Sequence, residues 1–158
     1  MGRTASVNDF GCDRRQPARI IVCEKTGKWA GALRRQLSPA GRCVCETRSW
    51  PECWDEVAHS PASFLALELT SSNAEPLLRR LVDLTRHFPQ ARAMVVGEPG
   101  RERYEWAVRE AGAIHAVFAV AQLAAAVRLI ERHLALVPQP QLTLRETIWR
   151  RLPWSGRK

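Results

Sequence analysis

Between Arg19 and Leu136 the chain alternates short apolar runs with stretches whose apolar residues recur every three or four positions, and no other feature restricts the fold as much. The runs are Arg19 to Cys23 (RIIVC), Arg42 to Glu46 (RCVCE), Ser63 to Leu69 (SFLALEL), Arg92 to Gly97 (RAMVVG) and Ala113 to Phe118 (AIHAVF). Their β-branched and apolar content suits strands covered on both faces, and the stretches between them are long enough to cross over as helices. The pattern predicts five strand–helix units closing a parallel sheet with helices on both sides, a three-layer α/β sandwich. With 158 residues in all, it assigns 19–136 to one domain, 1–18 to a flexible arm and 137–158 to a basic tail containing Pro and Trp.

The helical stretches carry their own boundaries. Ser49 with Glu52 three residues on makes a capping box, and Pro51 sits in the first turn, where its missing N–H costs nothing. Trp50, Cys53, Trp54 and Val57 follow at helical spacing. The third helix is expected to bury Leu77, Leu81, Leu84 and Phe88 and to wet Arg79, Arg80, Asp83 and Arg86 before stopping at Pro89. In the fourth, Tyr104, Ala107, Val108 and Ala111 share a stripe, and Gly112 is placed for the left-handed residue that ends a helix. Trp106 falls nearly opposite that stripe, which predicts an exposed aromatic suited to anchoring an interface. The fifth helix repeats Val120, Leu123, Val127, Ile130 and Leu134.

The segments ARIIVCEKTGKWAGALRRQL, SFLALELTSSNAEPLLRRL and EAGAIHAVFAVAQLAAAVRLI resemble the first strand and helix, the third strand with its loop and helix, and the last strand and helix of the response-regulator receiver (CheY-like) domain. The likeness spans Arg19 to about Leu136 and implies a flavodoxin-like (βα)5 fold with strand order 2-1-3-4-5. A receiver that accepts phosphate carries an acidic pair after the first strand for Mg²⁺, an Asp ending the third, Ser or Thr ending the fourth and Lys ending the fifth. Laid on this chain without gaps, those places hold Glu24 and Lys25, Glu68, Gly97 and Ala119, and the family's switch aromatic falls on Ala116. An ammonium at the seat of a hard dication opposes metal binding. The implied pocket is degenerate, with neither metal nor cofactor and no catalytic residues. At the carboxyl edge, Lys25 and Glu68 are expected either to form a fixed ion pair in place of a switchable phosphate or to point separately into solvent.

The resemblance therefore implies a pseudo-receiver: a non-enzymatic, cytoplasmic signal-transduction module that binds protein independently of phosphorylation. By family likeness its partner, or its own second copy, meets the face of the fourth helix, fifth strand and fifth helix, where Tyr104 and Trp106 lie. Two other readings stand beside this one. The net charge is +8, and the tail carries five basic residues against one acid. Thr143 and Glu146 open a short helix there with Arg145, Trp149, Arg150 and Arg151, followed by Trp154, a set suited to a partner groove, an anionic membrane or nucleic acid. The third reading is a small-molecule or redox sensor at the strand-end crevice. Of Cys12, Cys23, Cys43, Cys45 and Cys53, the pair at 43 and 45 shares one strand face, with Cys23 expected alongside. The chain lacks C-x-x-C spacing, a P-loop, G-x-G-x-x-G and any run long and apolar enough to cross a bilayer.

Overall fold

Residues 18–37 and 43–137 are described by a computed structural model of the chain. The expected arm at 1–18 and the tail with Arg145, Trp149, Arg150, Arg151 and Trp154 thus lie outside the described residues, apart from Ala18 and Val137. The elements run β1 (Ile20–Cys23), α1 (Lys28–Gln36), β2 (Val44–Thr47), α2 (Trp50–His59), β3 (Phe64–Leu69), α3 (Ala74–His87), β4 (Arg92–Gly97), α4 (Glu105–Glu110), β5 (Ala113–Val117) and α5 (Leu123–Leu136). Single 3₁₀ turns, Glu102–Tyr104 and Val120–Gln122, lead into α4 and α5. The five strands pair in parallel in the order β2-β1-β3-β4-β5, the doubly wound flavodoxin-like arrangement.

Two-residue periodicity divides the core. Ile20, Val22, Phe64, Ala66, Met94 and Val96 point to one face, where they bury Trp29 and Leu33 of α1 and Leu123, Ala126 and Ile130 of α5. Ile21, Leu65, Leu67 and Val95 point to the other, against Cys53 and Val57 of α2, Leu77, Leu81 and Leu84 of α3 and Val108 of α4. The interiors of β1, β3 and β4 are covered on both sides, which is why their runs read as unbroken apolar stretches, while the edge strands β2 and β5 are only partly covered. Among the described residues, no helix is long and apolar enough to cross a membrane.

The helix boundaries follow local chemistry. Ser49 Oγ accepts from Glu52 N–H at 3.4 Å, as a capping box requires, but the Glu52 carboxylate returns to Arg48 N–H at 2.8 Å rather than to Ser49. The predicted stripe on the fourth helix is only partly realised. Its first turn is 3₁₀ and α4 has six residues, so Val108 alone is fully buried and Tyr104, Ala107 and Ala111 are half-buried. Arg80, expected on the wet side, is also half-buried, its guanidinium stacked 5.2 Å from the Trp50 ring centroid. At the opposite end of the sheet, buried Arg19 bonds Glu56 Oε2 at 2.8 Å and Ser60 Oγ at 3.0 Å, fastening the start of β1 to α2.

The turn from α4 into β5 depends on Gly112, whose φ of 114° is left-handed. A Cβ there would fall 2.5 Å from Thr85 Oγ1 on α3. Gly112→Ala is expected to lower the unfolding free energy by about 1–3 kcal/mol, because backbone strain and the clash act together. Urea denaturation checks this, with Gly100→Ala as the control for left-handed strain alone, since φ is 92° there and no atom stands within 4 Å.

Candidate functional site

In a doubly wound sheet the loops leaving the carboxyl ends diverge where strand order reverses, here between β1 and β3, and a crevice opens at that point. Its first wall is the loop after β1. Glu24 is buried, and its carboxylate turns under α1, with Oε2 accepting from Trp29 N–H at 2.9 Å and Oε1 from Ala30 N–H at 2.6 Å. The helix needs this partner. Its N-cap is Gly27, which has no side chain to offer, and its first turn contains no acid. Two charge-assisted bonds at the positive end of the helix dipole therefore hold Glu24 in place.

Lys25, the next residue, is exposed, and among the described residues it enters no ion pair. The expected Lys25–Glu68 salt bridge is replaced by a different contact: Glu68 Oε2 accepts from the Lys25 backbone N–H at 2.9 Å. That bond ties the β1 loop to the end of β3 while leaving the ammonium in solvent. Asn73 fixes the loop after β3, accepting from Thr70 N–H at 2.8 Å and donating to Glu68 O at 2.8 Å.

On the other side of β3 the strand ends are closed. Gly97, the last residue of β4, pairs with Leu69, and a Cβ at 97 would stand 3.3 Å from Leu69 O and 3.4 Å from Phe118 Cδ1. The buried Phe118 ring thus occupies space that a larger residue at 97 would need. Beyond β5, Gln122 Oε1 accepts from Phe118 N–H at 2.9 Å and Ala119 N–H at 3.2 Å, so the turn at Ala119 is held by a neutral amide.

The crevice has a volume of about 330 Å³ and is lined by Cys23, Lys25, Arg48, Trp50, Glu68 and Arg80, with the ends of α2 and α3 beneath. This is within the range of small-ligand pockets, ~300–1,000 Å³. Arg48 closes one rim, donating to Glu46 Oε1 at 2.6 Å and to Glu24 O at 3.3 Å. Of its two carboxylates, Glu24 is turned into α1 and Glu68 is bonded to a backbone N–H, while Arg48 is paired with Glu46 and Arg80 is stacked on Trp50.

Cys23 contributes a thiol to this wall. Cys23 pairs in register with Thr47 and Cys45 with Ile21, so the two thiols share one sheet face as expected, and the core cluster on that face adds Cys53, buried in α2. A hydrogen bond from Cys53 lowers the Cys23 pKa to about 7 against the opposing effect of burial, with Thr47 and Arg80 also favouring the thiolate. The single Thr47 hydroxyl proton is directed to Val22 O at 3.1 Å, which leaves Cys53 and Arg80 as the effective partners. Cys53 is shifted upward by the same contact and by burial. Cys45, one strand away, is pushed up to about 11 by burial and by Glu56. Among the described residues no three His, Cys, Asp or Glu side chains gather as metal ligands.

The remaining predicted residues lie elsewhere. Trp106 is 74% exposed on α4, as its helical phase predicts, and Ile114 of the edge strand β5 is also exposed. Tyr104 is half-buried under the Arg103 guanidinium, 4.9 Å from its ring centroid. Sequence reasoning passed over Arg48, Arg80, Cys53, Phe118 and Gln122 as site residues. Only Gln122 carried a local signal, its place three residues after Ala119, which is the back-bonding position of a capping box.

No family model matches the chain, and neither does any curated protein. Among solved structures, the CheY-like protein TadZ from Pseudomonas aeruginosa PAO1 aligns with a TM-score of 0.60 at 18% identity, over 80% of this chain and 98% of that one. At such identity the likeness is one of fold, and the chain has the CheY-like receiver fold.

Glu24→Gln is expected to destabilise the domain by about 2 kcal/mol, since it removes the charge from two buried hydrogen bonds at a helix N-terminus. Glu68→Gln, which removes the charge from a single bond nearer solvent, is expected to cost about 0.5–1 kcal/mol. Urea midpoints of the two variants check the order, and equal losses would contradict the assignment of Glu24 as the helix anchor.

Proposed function

We propose that the chain is a regulatory, non-enzymatic protein-binding module of receiver type that works without phosphorylation. The carrying observation is the engagement of Glu24. Its two carboxylate oxygens already accept from α1, so neither is presented to a cation in the crevice. The remaining residues at the corresponding places do not fit a Mg²⁺ centre either. Lys25 brings positive charge, and Glu68 is bonded to a backbone N–H. Gly97 and Ala119 supply neither hydroxyl nor ammonium to hold a phosphoryl group, and Phe118 fills the space beside Gly97. A fold that keeps its architecture while offering so little to phosphotransfer is best read as a scaffold for association.

The face of α4, β5 and α5 supports the second half of this reading. An exposed Trp on a short helix and an exposed Ile on the edge strand that follows it are apolar side chains left uncovered among the described residues. The occupant of this face is a protein partner or a second copy of the chain, and the result is a signalling complex governed by concentration rather than by a phosphoryl switch.

Two experiments test the proposal. Incubation with acetyl phosphate and Mg²⁺ is expected to leave the intact mass unchanged, and Mg²⁺ with beryllofluoride is expected to leave tryptophan fluorescence unchanged. A phosphorylated Glu68 peptide, or a saturable fluorescence change needing both reagents, overturns it. Trp106→Ala is expected to alter folding stability by no more than about 0.5 kcal/mol. The same change is expected to weaken self-association, or binding of a co-purifying protein, by about 10-fold or more, the usual effect of truncating an interfacial aromatic anchor. Sedimentation of the variant beside the parent measures this, and unchanged association removes the α4 face from the proposal.

A further inference from the structure

Cys23 and Cys53 occupy unequal positions at the crevice. Cys23 ends β1 and lines the opening, whereas Cys53 lies on α2 and is shielded from solvent. Cys23 packs against the core cluster that contains Cys53, which sets an accessible sulfur at the cavity wall against a buried one in the core behind it. Arg80 is the cation that favours the Cys23 thiolate and Glu52 the carboxylate that opposes it, while Lys25 and Arg48 also line the opening, Arg48 in an ion pair with Glu46. Reactive cysteines have this setting: partial exposure, nearby cations and a hydrogen-bond donor to the sulfur. Cys45 is also half-buried, with Arg19 and Arg34 nearby, but burial and Glu56 outweigh them and raise its thiol, so it serves as an internal comparison.

From this arrangement we infer that Cys23 is a site of oxidation by hydroperoxides and that Cys53 resolves the product into a Cys23–Cys53 disulfide. In the first step the Cys23 thiolate attacks one peroxide oxygen and the O–O bond breaks. Cys23 becomes a sulfenic acid, and the departing hydroxide or alkoxide leaves as water or alcohol after taking a proton from solvent. The sulfur has then lost two electrons and the peroxide has gained them. In the second step Cys53 gives up its proton, its sulfur attacks that of Cys23, the S–O bond breaks, and hydroxide leaves with the proton as water. The contact that held the Cys53 proton in place was with the Cys23 thiolate, so converting Cys23 to a neutral sulfenic acid frees Cys53 to react. The disulfide fastens the end of β1 to α2 beneath the crevice, and a cellular thiol returns the pair to its reduced form.

The test uses the full chain, reduced and then freed of reductant. One equivalent of hydrogen peroxide is expected to remove two hydrogens from the intact mass and to join the tryptic peptides 20–25 and 49–79, which contain Cys23 and Cys53. The peptide 43–48, with Cys43 and Cys45, is expected to remain outside that cross-link. In the reduced protein Cys23 is expected to react with iodoacetamide at least ~100-fold faster than Cys45. Cys23→Ser is expected to abolish the cross-link. Cys53→Ala is expected to leave a Cys23 sulfenic acid that dimedone captures. Since Cys53 is a core residue, the wild-type peptide map decides the matter without that variant. Oxidation that falls first on Cys45, or a Cys23 that oxidises without joining Cys53, overturns the inference.

Discussion

The buried carboxylate of Glu24 is the constraint around which the rest of this molecule is arranged. A helix that starts on glycine leaves its first amide groups without side-chain partners, and α1 recruits the partner from the strand before it. This single choice sets the path of the loop after β1, directs the Lys25 amide toward Glu68 and leaves the Lys25 ammonium outside. It also turns both Glu24 oxygens toward α1, so the chemistry of this edge is set by helix capping as much as by residue type.

Much of the fold was legible because the three inner strands are covered on both faces and all five apolar runs are short, separate and bounded by turn residues. Four of the five runs contain their strands, with one-residue differences at β1, β3 and β5, whereas β2 starts two residues after its run does and ends one residue beyond it, at Thr47. Side-chain phase on α3 was read correctly for Leu77, Leu81 and Leu84 because that helix is long enough for its moment to be unambiguous. It was misread for Arg80, since a guanidinium can bury its face on an aromatic ring while keeping its polarity satisfied, and the partner, Trp50, lies on another helix. The stripe on α4 was overread for a simpler reason, namely that six residues turn too few times for a face to form.

At the site, the identities of Glu24, Lys25, Glu68, Gly97 and Ala119 were readable by position, and their roles were not. Whether a carboxylate faces a cavity or a helix end depends on the rotamer and on which amides are vacant nearby, and neither is written in local sequence. The ion pair expected of Lys25 and Glu68 shows the difficulty, since the two residues do meet, but through a backbone amide. The thiol pair shows it again. Cys43 and Cys45 advertise themselves by proximity in the chain, whereas Cys23 and Cys53 become neighbours only when α2 crosses back over the sheet.

The packing of Phe118 against Gly97 bears on how such a domain changes over generations. A side chain at 97 would set its Cβ 3.3 Å from the Leu69 carbonyl oxygen and 3.4 Å from the Phe118 ring, so its neighbours must give by a few tenths of an ångström. Trading Phe118 for something smaller makes that room but opens a hole in the core. Positions 97 and 118 are therefore constrained as a pair, and a substitution at either is best tolerated when the other changes with it.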